Sequence, residues 1–152
     1  MMYYFKRAWS GFVSPVLKTP KRLQVAALCY KETKAGKRVL LITSRDTGRW
    51  IVPKGWPIKG KNGSESALQE AWEEAGVKKA AIEEDPFGTY DYDKGLSDGE
   101  SIPIHTEVYM TRVEKLSDEY PEVDQRERAW FAPKDAANKV AEPDLKALLE
   151  KL

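Results

Sequence analysis

The sequence predicts an α/β domain of the mixed, α+β kind, in which a mixed β-sheet packs against helices. Three observations carry that prediction. Stretches of strand character and stretches of helix character are intermixed without the regular βαβ order of a wholly parallel sheet. The 152 residues suit one domain with one sizeable core. The composition, 41% hydrophobic and 32% charged, is that of an ordinary globular chain.

The elements follow in order. Residues 1–20 form an extension rich in aromatics (Tyr3, Tyr4, Phe5, Trp9, Phe12) with Lys6, Arg7 and Lys18 interleaved. It reads as a segment packing along its own domain or a homodimer mate, in preference to a membrane-surface or partner-binding arm. The folded domain then spans 21–152. Gln24 to Tyr30 and Arg38 to Arg45 read as strands, and Lys31 to Lys37, with Gly36, as the turn of a β-hairpin. Asp46-Thr47-Gly48 is a second turn, and Trp50 to Val52 a short strand. Ser64 is the expected N-cap of a helix running to Ala75, with Gly76 as its left-handed stop. Ala80 to Glu84 and Phe87 to Tyr92 read as strands, Asp93 to Glu100 as a polar loop, and Ile102 to Val113 as a long strand. An acidic loop, Glu114 to Arg126, precedes a strand at Arg128 to Ala132. Pro133 opens a short helix through Val140, and Pro143 to Leu152 forms the last helix, with Leu145, Leu148, Leu149 and Leu152 on one stripe.

The stretch from Gly55 to Val77 carries the chemistry. Leu68, Ala71, Trp72 and Ala75 make an apolar stripe on its helix, and Glu70, Glu73 and Glu74 share the opposite face. Like charges at i, i+3 and i+4 repel, and these lie too far along the helix for its positive end to relieve them. A hard divalent cation would resolve the clash, and Mg²⁺ characteristically combines a few carboxylates with water and substrate phosphate. A solvated acidic face is the alternative. The preceding loop, with Lys54, Lys59 and Lys61, favours the cation reading because it places positive charge where an anionic ligand would lie.

This stretch resembles the box of the Nudix hydrolase superfamily: G, five residues, E, seven residues, then R-E-hydrophobic-x-E-E-x-G-hydrophobic. The spacing is intact from Gly55 to Val77, and six positions of the C-terminal part match. Lys61 replaces the first family Glu, and Gln69 replaces the Arg. The resemblance implies a Nudix-type α/β/α sandwich with a mixed sheet, and Mg²⁺, or alternatively Mn²⁺, bound by Glu70, Glu73 and Glu74. Gln69 can still hydrogen-bond Glu73 one turn on, without charge assistance. From Arg22 onward the chain is similar to the diphosphoinositol polyphosphate phosphohydrolase branch and its bacterial relatives, through Gln24-Val25-Ala26-Ala27, Ser44-Arg45 with Gly48-Arg49-Trp50, and Arg126 to Phe131. That likeness implies substrate contacts at Arg22, Arg45, Lys54, Arg126 and His105, the only histidine. Lys61 adds positive charge and is expected to favour highly anionic substrates.

The implied reaction is attack of water on phosphorus in a nucleoside-diphosphate-linked compound, a dinucleoside polyphosphate or an inositol pyrophosphate. Glu70, Glu74, Glu119 and Glu122 are candidate bases. A non-catalytic module that binds a nucleotide or polyphosphate is the alternative. A net charge of +1 gives no broad basic surface, so nucleic acid is not expected as a partner. No stretch has the length of a membrane-spanning helix, and stable insertion is not expected. The single cysteine, Cys29, lies in an apolar run and excludes an internal disulfide, which suits a reducing, cytoplasmic setting.

Overall fold

A computed structural model describes residues 21–152, so the expectations for residues 1–20 lie outside the described residues. The core is a single mixed sheet with helices on both faces, as expected. Its strands are β1 (Arg22–Thr33), β2 (Gly36–Thr43), β3 (Trp50–Ile51), β4 (Lys54–Gly55), β5 (Val77–Ile82), β6 (Gly88–Gly95), β7 (Ser101–Leu116) and β8 (Arg128–Phe131). Its helices are α1 (Gly63–Ala75), α2 (Pro133–Lys139) and α3 (Pro143–Glu150). The main path runs β3-β2-β1-β7-β5, while β4 pairs with β1, β6 with β7 and β8 with β2.

The predicted hairpin is present: Tyr30 faces Val39 and Thr33 faces Gly36 across an antiparallel β1–β2 pair. The central pairing is parallel. β1 runs beside β7 from Arg22 opposite Ile104 to Tyr30 opposite Arg112, and both strands are longer than their sequence suggested. Successive side chains of a strand point to opposite faces. Ala26, Leu28, Val39 and Leu41 therefore join the layer under α2 and α3, with Leu145, Leu148 and Leu149. Val25, Ala27, Cys29, Leu40 and Ile42 join the layer under α1.

Helix α1 departs from expectation in two ways. Its N-cap is Asn62, not Ser64. The Asn62 side chain accepts from the Glu65 N–H at 2.8 Å, and Glu65 Oε1 accepts from the Asn62 N–H at 2.9 Å. This reciprocal pair satisfies two otherwise orphaned donors, which a cap at Ser64 could not match. The stripe buried against the sheet is Ala67, Ala71 and Ala75. Leu68 and Trp72 are half-buried at its flank. Small residues let the helix sit close to β1 and β4, and that closeness turns Glu74 inward to 7% exposure. The three glutamates thus do not share one solvent face. The helix stops as predicted at Gly76, whose φ of 72° is the left-handed region.

Candidate active site

A cleft of about 900 Å³ opens where the C-terminal half of α1, the β3–β4 segment and the β6–β7 loop meet. Its floor comes from α1. Glu70 and Glu74 both line it, one helical turn apart, with Gly55 of β4 packed directly over Glu70. A Cβ at position 55 would lie 2.5 Å from the Glu70 carboxyl carbon, so glycine is what lets the carboxylate occupy its place. Burial, then the charges of Glu74, Glu73 and Glu122, push the Glu70 carboxyl up to about 8. Burial also raises Glu74, against the opposing pull of Arg126 and of the Lys54 backbone N–H, which donates to Glu74 Oε1 at 3.2 Å.

Arg126 arrives at the cleft from just before β8. Only 7% of its side chain is exposed. Its Nε donates to Glu122 Oε1 at 2.9 Å, one terminal nitrogen donates to the Thr43 carbonyl at 3.0 Å, and the other lies 3.6 Å from Glu74 Oε2. It is therefore a buried tie between α1, the acidic loop and β2. The loop is also pinned through its backbone, since the Glu122 N–H donates to the Glu73 carbonyl at 3.0 Å. Glu122 lines the cleft, whereas Glu119 is exposed outside it.

The other expected residues divide. Arg45 lines the cleft rim, donating to Gln125 at 2.9 Å, with Glu122 at 3.8 Å. Lys54 lines the wall, and burial lowers its ammonium to about 8 against the attraction of Glu74 and Glu142. Glu73 is not part of the cleft lining; its Oε2 accepts from Gln69 Nε2 at 2.6 Å, the i+4 bond the sequence suggested. Three of the expected substrate contacts lie outside the cleft. Arg22 places its guanidinium over the ring of Trp56, 4.8 Å from the centroid. His105 hydrogen-bonds Asp91 across β6–β7 at 2.7 Å, and Asp91 is held below the usual carboxylate range by Lys21 and His105. Lys61 lines a separate, shallower groove of about 560 Å³ beside Leu68 and Trp72.

Sequence reasoning missed Glu142. It is the N-cap residue of α3, 7% exposed, and it lines the cleft. Its Oε2 is 3.7 Å from Arg49, and its Oε1 is buried without a hydrogen-bond partner. An acidic residue before a proline at a helix start looks like a routine cap, so nothing local sets it apart.

Among the described residues, no three carboxylate, histidine or cysteine side chains already converge as a metal cage. Two crowded carboxylates, one pushed up to about 8, are nevertheless what Mg²⁺ takes from a protein when phosphate and water complete its shell. The donor set fits that ion.

A family model described as the NUDIX domain matches residues 20–152. Human diphosphoinositol polyphosphate phosphohydrolase 3-alpha is 30% identical over 116 residues, covering 74% of this chain and 65% of the relative. Nudix hydrolase 13, mitochondrial, of Arabidopsis thaliana is 34% identical over 104 residues, covering 65% of this chain and 51% of the relative. The chain thus matches about half to two thirds of the length of these curated relatives. The crystal structure of the C. elegans Ap4A hydrolase superposes with a TM-score of 0.67 at 20% identity, covering 87% of this chain and 96% of that one. The NUDIX domain of Shewanella oneidensis NrtR, complexed with ADP ribose, superposes with 0.64 at 17% identity, covering 93% and 92%. At these identities the two structures speak to the fold.

Proposed function

This chain belongs to the NUDIX domain family, and from that premise we propose that it is a Mg²⁺-dependent pyrophosphohydrolase. Its substrate would carry a phosphoanhydride: a nucleoside-diphosphate-linked compound, a dinucleoside polyphosphate or an inositol pyrophosphate. The supporting observation is the Glu70–Glu74 carboxylate pair on the floor of a cleft that Arg45 and Lys54 also line.

The roles follow from charge and position. Glu70 and Glu74 would hold the metal, with Glu73, kept in place by Gln69, next to them on the same helix. Bound there, Mg²⁺ would neutralise phosphate oxygens and lower the pKa of a coordinated water. Arg45 and Lys54 would bind the anionic chain and stabilise charge on the transferred group. Lys54 suits this because it is half-buried in the cleft wall, and a partly desolvated cation attracts phosphate more strongly than a fully hydrated one. Glu122 is the preferred base from outside the box. It lines the cleft, and both Arg126 and its own backbone bond to Glu73 hold it there. A base must come within hydrogen-bond reach of the attacking water, and Glu119, the other candidate in this loop, is exposed and does not line the cleft. Arg126 also lines the cleft; two of its N–H groups bond Glu122 and the Thr43 carbonyl, so it positions Glu122 and Glu74 and keeps N–H donors for the anionic chain.

The test is phosphate release with Mg²⁺ or Mn²⁺ across diadenosine polyphosphates, an inositol pyrophosphate, sugar nucleotides and nucleoside triphosphates, with Glu70→Gln and Glu73→Gln alongside. Turnover that both variants lose supports the hydrolase, and the preferred compound names the substrate. Metal-dependent binding without turnover on any compound would replace it with a nucleotide- or polyphosphate-binding module.

A further inference from the structure

Glu142 has a place in the cleft that phosphate binding does not explain. Glu70, Glu74 and Glu122 have proposed roles as metal ligands and base, whereas Glu142 lies in the same cleft with no such role. Glu142 is a carboxylate, 7% exposed, and its Oε1 has no donor while Oε2 faces Arg49 at 3.7 Å. An unsatisfied buried acceptor costs about 1–3 kcal/mol, and more when charged. Its negative charge also acts on the neighbouring wall, drawing on Lys54 and opposing ionisation of Tyr92, both of which line the cleft. Its side chain makes no capping hydrogen bond to α3.

A ligand group that satisfies such an oxygen must donate a hydrogen bond or carry positive charge, and on a polyphosphate ligand the groups that can do so are its hydroxyl and N–H groups. A phosphate placed there would meet a buried like charge. The cleft also carries apolar surface with no use for phosphate. Trp56 lines it and stays 38% exposed with Arg22 over its ring, and Leu96 lines it at 39% exposure. Exposed aromatic surface beside a polar acceptor suits a flat, donor-bearing group.

We infer that Glu142 is a specificity-determining residue that accepts a hydrogen bond from the non-phosphate half of the ligand, so that the cleft takes a nucleoside there and rejects a polyphosphorylated ring. The inference rests on the cleft being the polyphosphate site proposed above. A phosphorylated cyclitol presents phosphates around its whole rim and would direct one toward Glu142. A nucleoside presents ribose hydroxyls, exocyclic N–H groups and a planar base.

Equilibrium binding tests this independently of hydrolysis. Calorimetry with ADP and with inositol hexakisphosphate would be run with and without Mg²⁺ on the whole chain and on Glu142→Gln and Glu142→Lys, and absence of ADP binding under both conditions would overturn the inference. Wild type is expected to bind ADP at least tenfold more tightly than inositol hexakisphosphate. Glu142→Gln, nearly isosteric and retaining an acceptor oxygen, should keep ADP affinity within threefold and bind inositol hexakisphosphate at least fivefold better. Glu142→Lys should invert the preference. Tighter wild-type binding of inositol hexakisphosphate than of ADP would overturn the inference. So would a ratio of the two affinities that Glu142→Gln changes less than twofold, which remains decisive should Glu142→Lys not fold. If no compound is hydrolysed but the ratio still shifts with Glu142, the hydrolase proposal fails and this inference stands.

Discussion

Arg126→Met removes one guanidinium that serves three partners while keeping most of the side-chain volume. The variant loses a charge-assisted bond to Glu122 at 2.9 Å, a bond to the Thr43 carbonyl at 3.0 Å, and the charge 3.6 Å from Glu74. Glu74 is the costly survivor. Its side chain is 9% exposed, and Lys54 then supplies its remaining compensation, through its N–H and its ammonium charge. Removing one partner of a buried pair costs about 3–5 kcal/mol, because the other charge stays buried. With a urea slope of about 2 kcal/mol per molar, the unfolding midpoint should fall by about 1.5–2.5 M at pH 7.5. The pH dependence has a defined sign. Burial already raises the native Glu74 carboxyl and Arg126 opposes that rise, so the variant's carboxyl moves higher still. An acid whose native pKa exceeds its unfolded value stabilises the fold at low pH and loses that contribution as pH rises. The deficit should therefore shrink toward pH 5 and grow toward pH 8. Urea unfolding in metal-free buffer at pH 5, 6.5 and 8 measures it, with Arg126→Met/Glu74→Gln recovering part of the loss. A deficit under about 1 kcal/mol at pH 7.5, or one that does not vary with pH, would refute a buried electrostatic role for Arg126.

Two further outcomes follow from the same packing. Gly55→Ala puts a Cβ 2.5 Å from the Glu70 carboxyl carbon, so that flexible carboxylate must move. The melting temperature should change by only a few degrees while Mg²⁺ or Mn²⁺ affinity, read by calorimetry or by Mn²⁺ resonance, weakens by about tenfold or more; unchanged metal affinity would count against Glu70 as a ligand. Cys29 is fully buried, and burial pushes its thiol from 9.0 up to about 12. At pH 8 about one molecule in ten thousand then carries thiolate, so an aromatic disulfide reagent should label native protein only at the rate of opening and unfolded protein at once. Because the thiol is raised, the fold also loses stability as pH climbs above about 9. Rapid labelling of the native chain at pH 8 would contradict its place under α1.

The sequence was most informative where structure depends on near neighbours. The β1–β2 hairpin was legible from two apolar runs around a Gly-containing turn, and the end of α1 from Gly76. The Gln69–Glu73 bond was legible too, because i and i+4 meet on any helix. On the buried face of α1, Ala71 and Ala75 lie where the sequence puts them, while Leu68 and Trp72 are only half-buried and Ala67 joins instead. Hydrophobicity singled out Leu68 and Trp72, whereas close approach to the sheet selected Ala67 beside Ala71 and Ala75. The N-cap shifted from Ser64 to Asn62 because a reciprocal bond with Glu65 outweighs the general preference for serine.

The sequence by itself determined the family box, its spacing, the three glutamates on one helix and the order of strands and helices. Only the tertiary structure decided which of those glutamates is buried, and which distant residues join them. Glu74 turned inward because alanines let α1 approach β4. Arg126 and Glu122 reached the cleft through a loop tied to α1, and Glu142 through the start of α3. His105, Arg22 and Lys61, plausible by position, settled outside it. Helical and strand periodicities specify which side chains share a face over a few residues. Convergence of residues 50 to 90 apart depends on the parallel β1–β7 pairing and on packing across both faces of the sheet, and no local pattern encodes it.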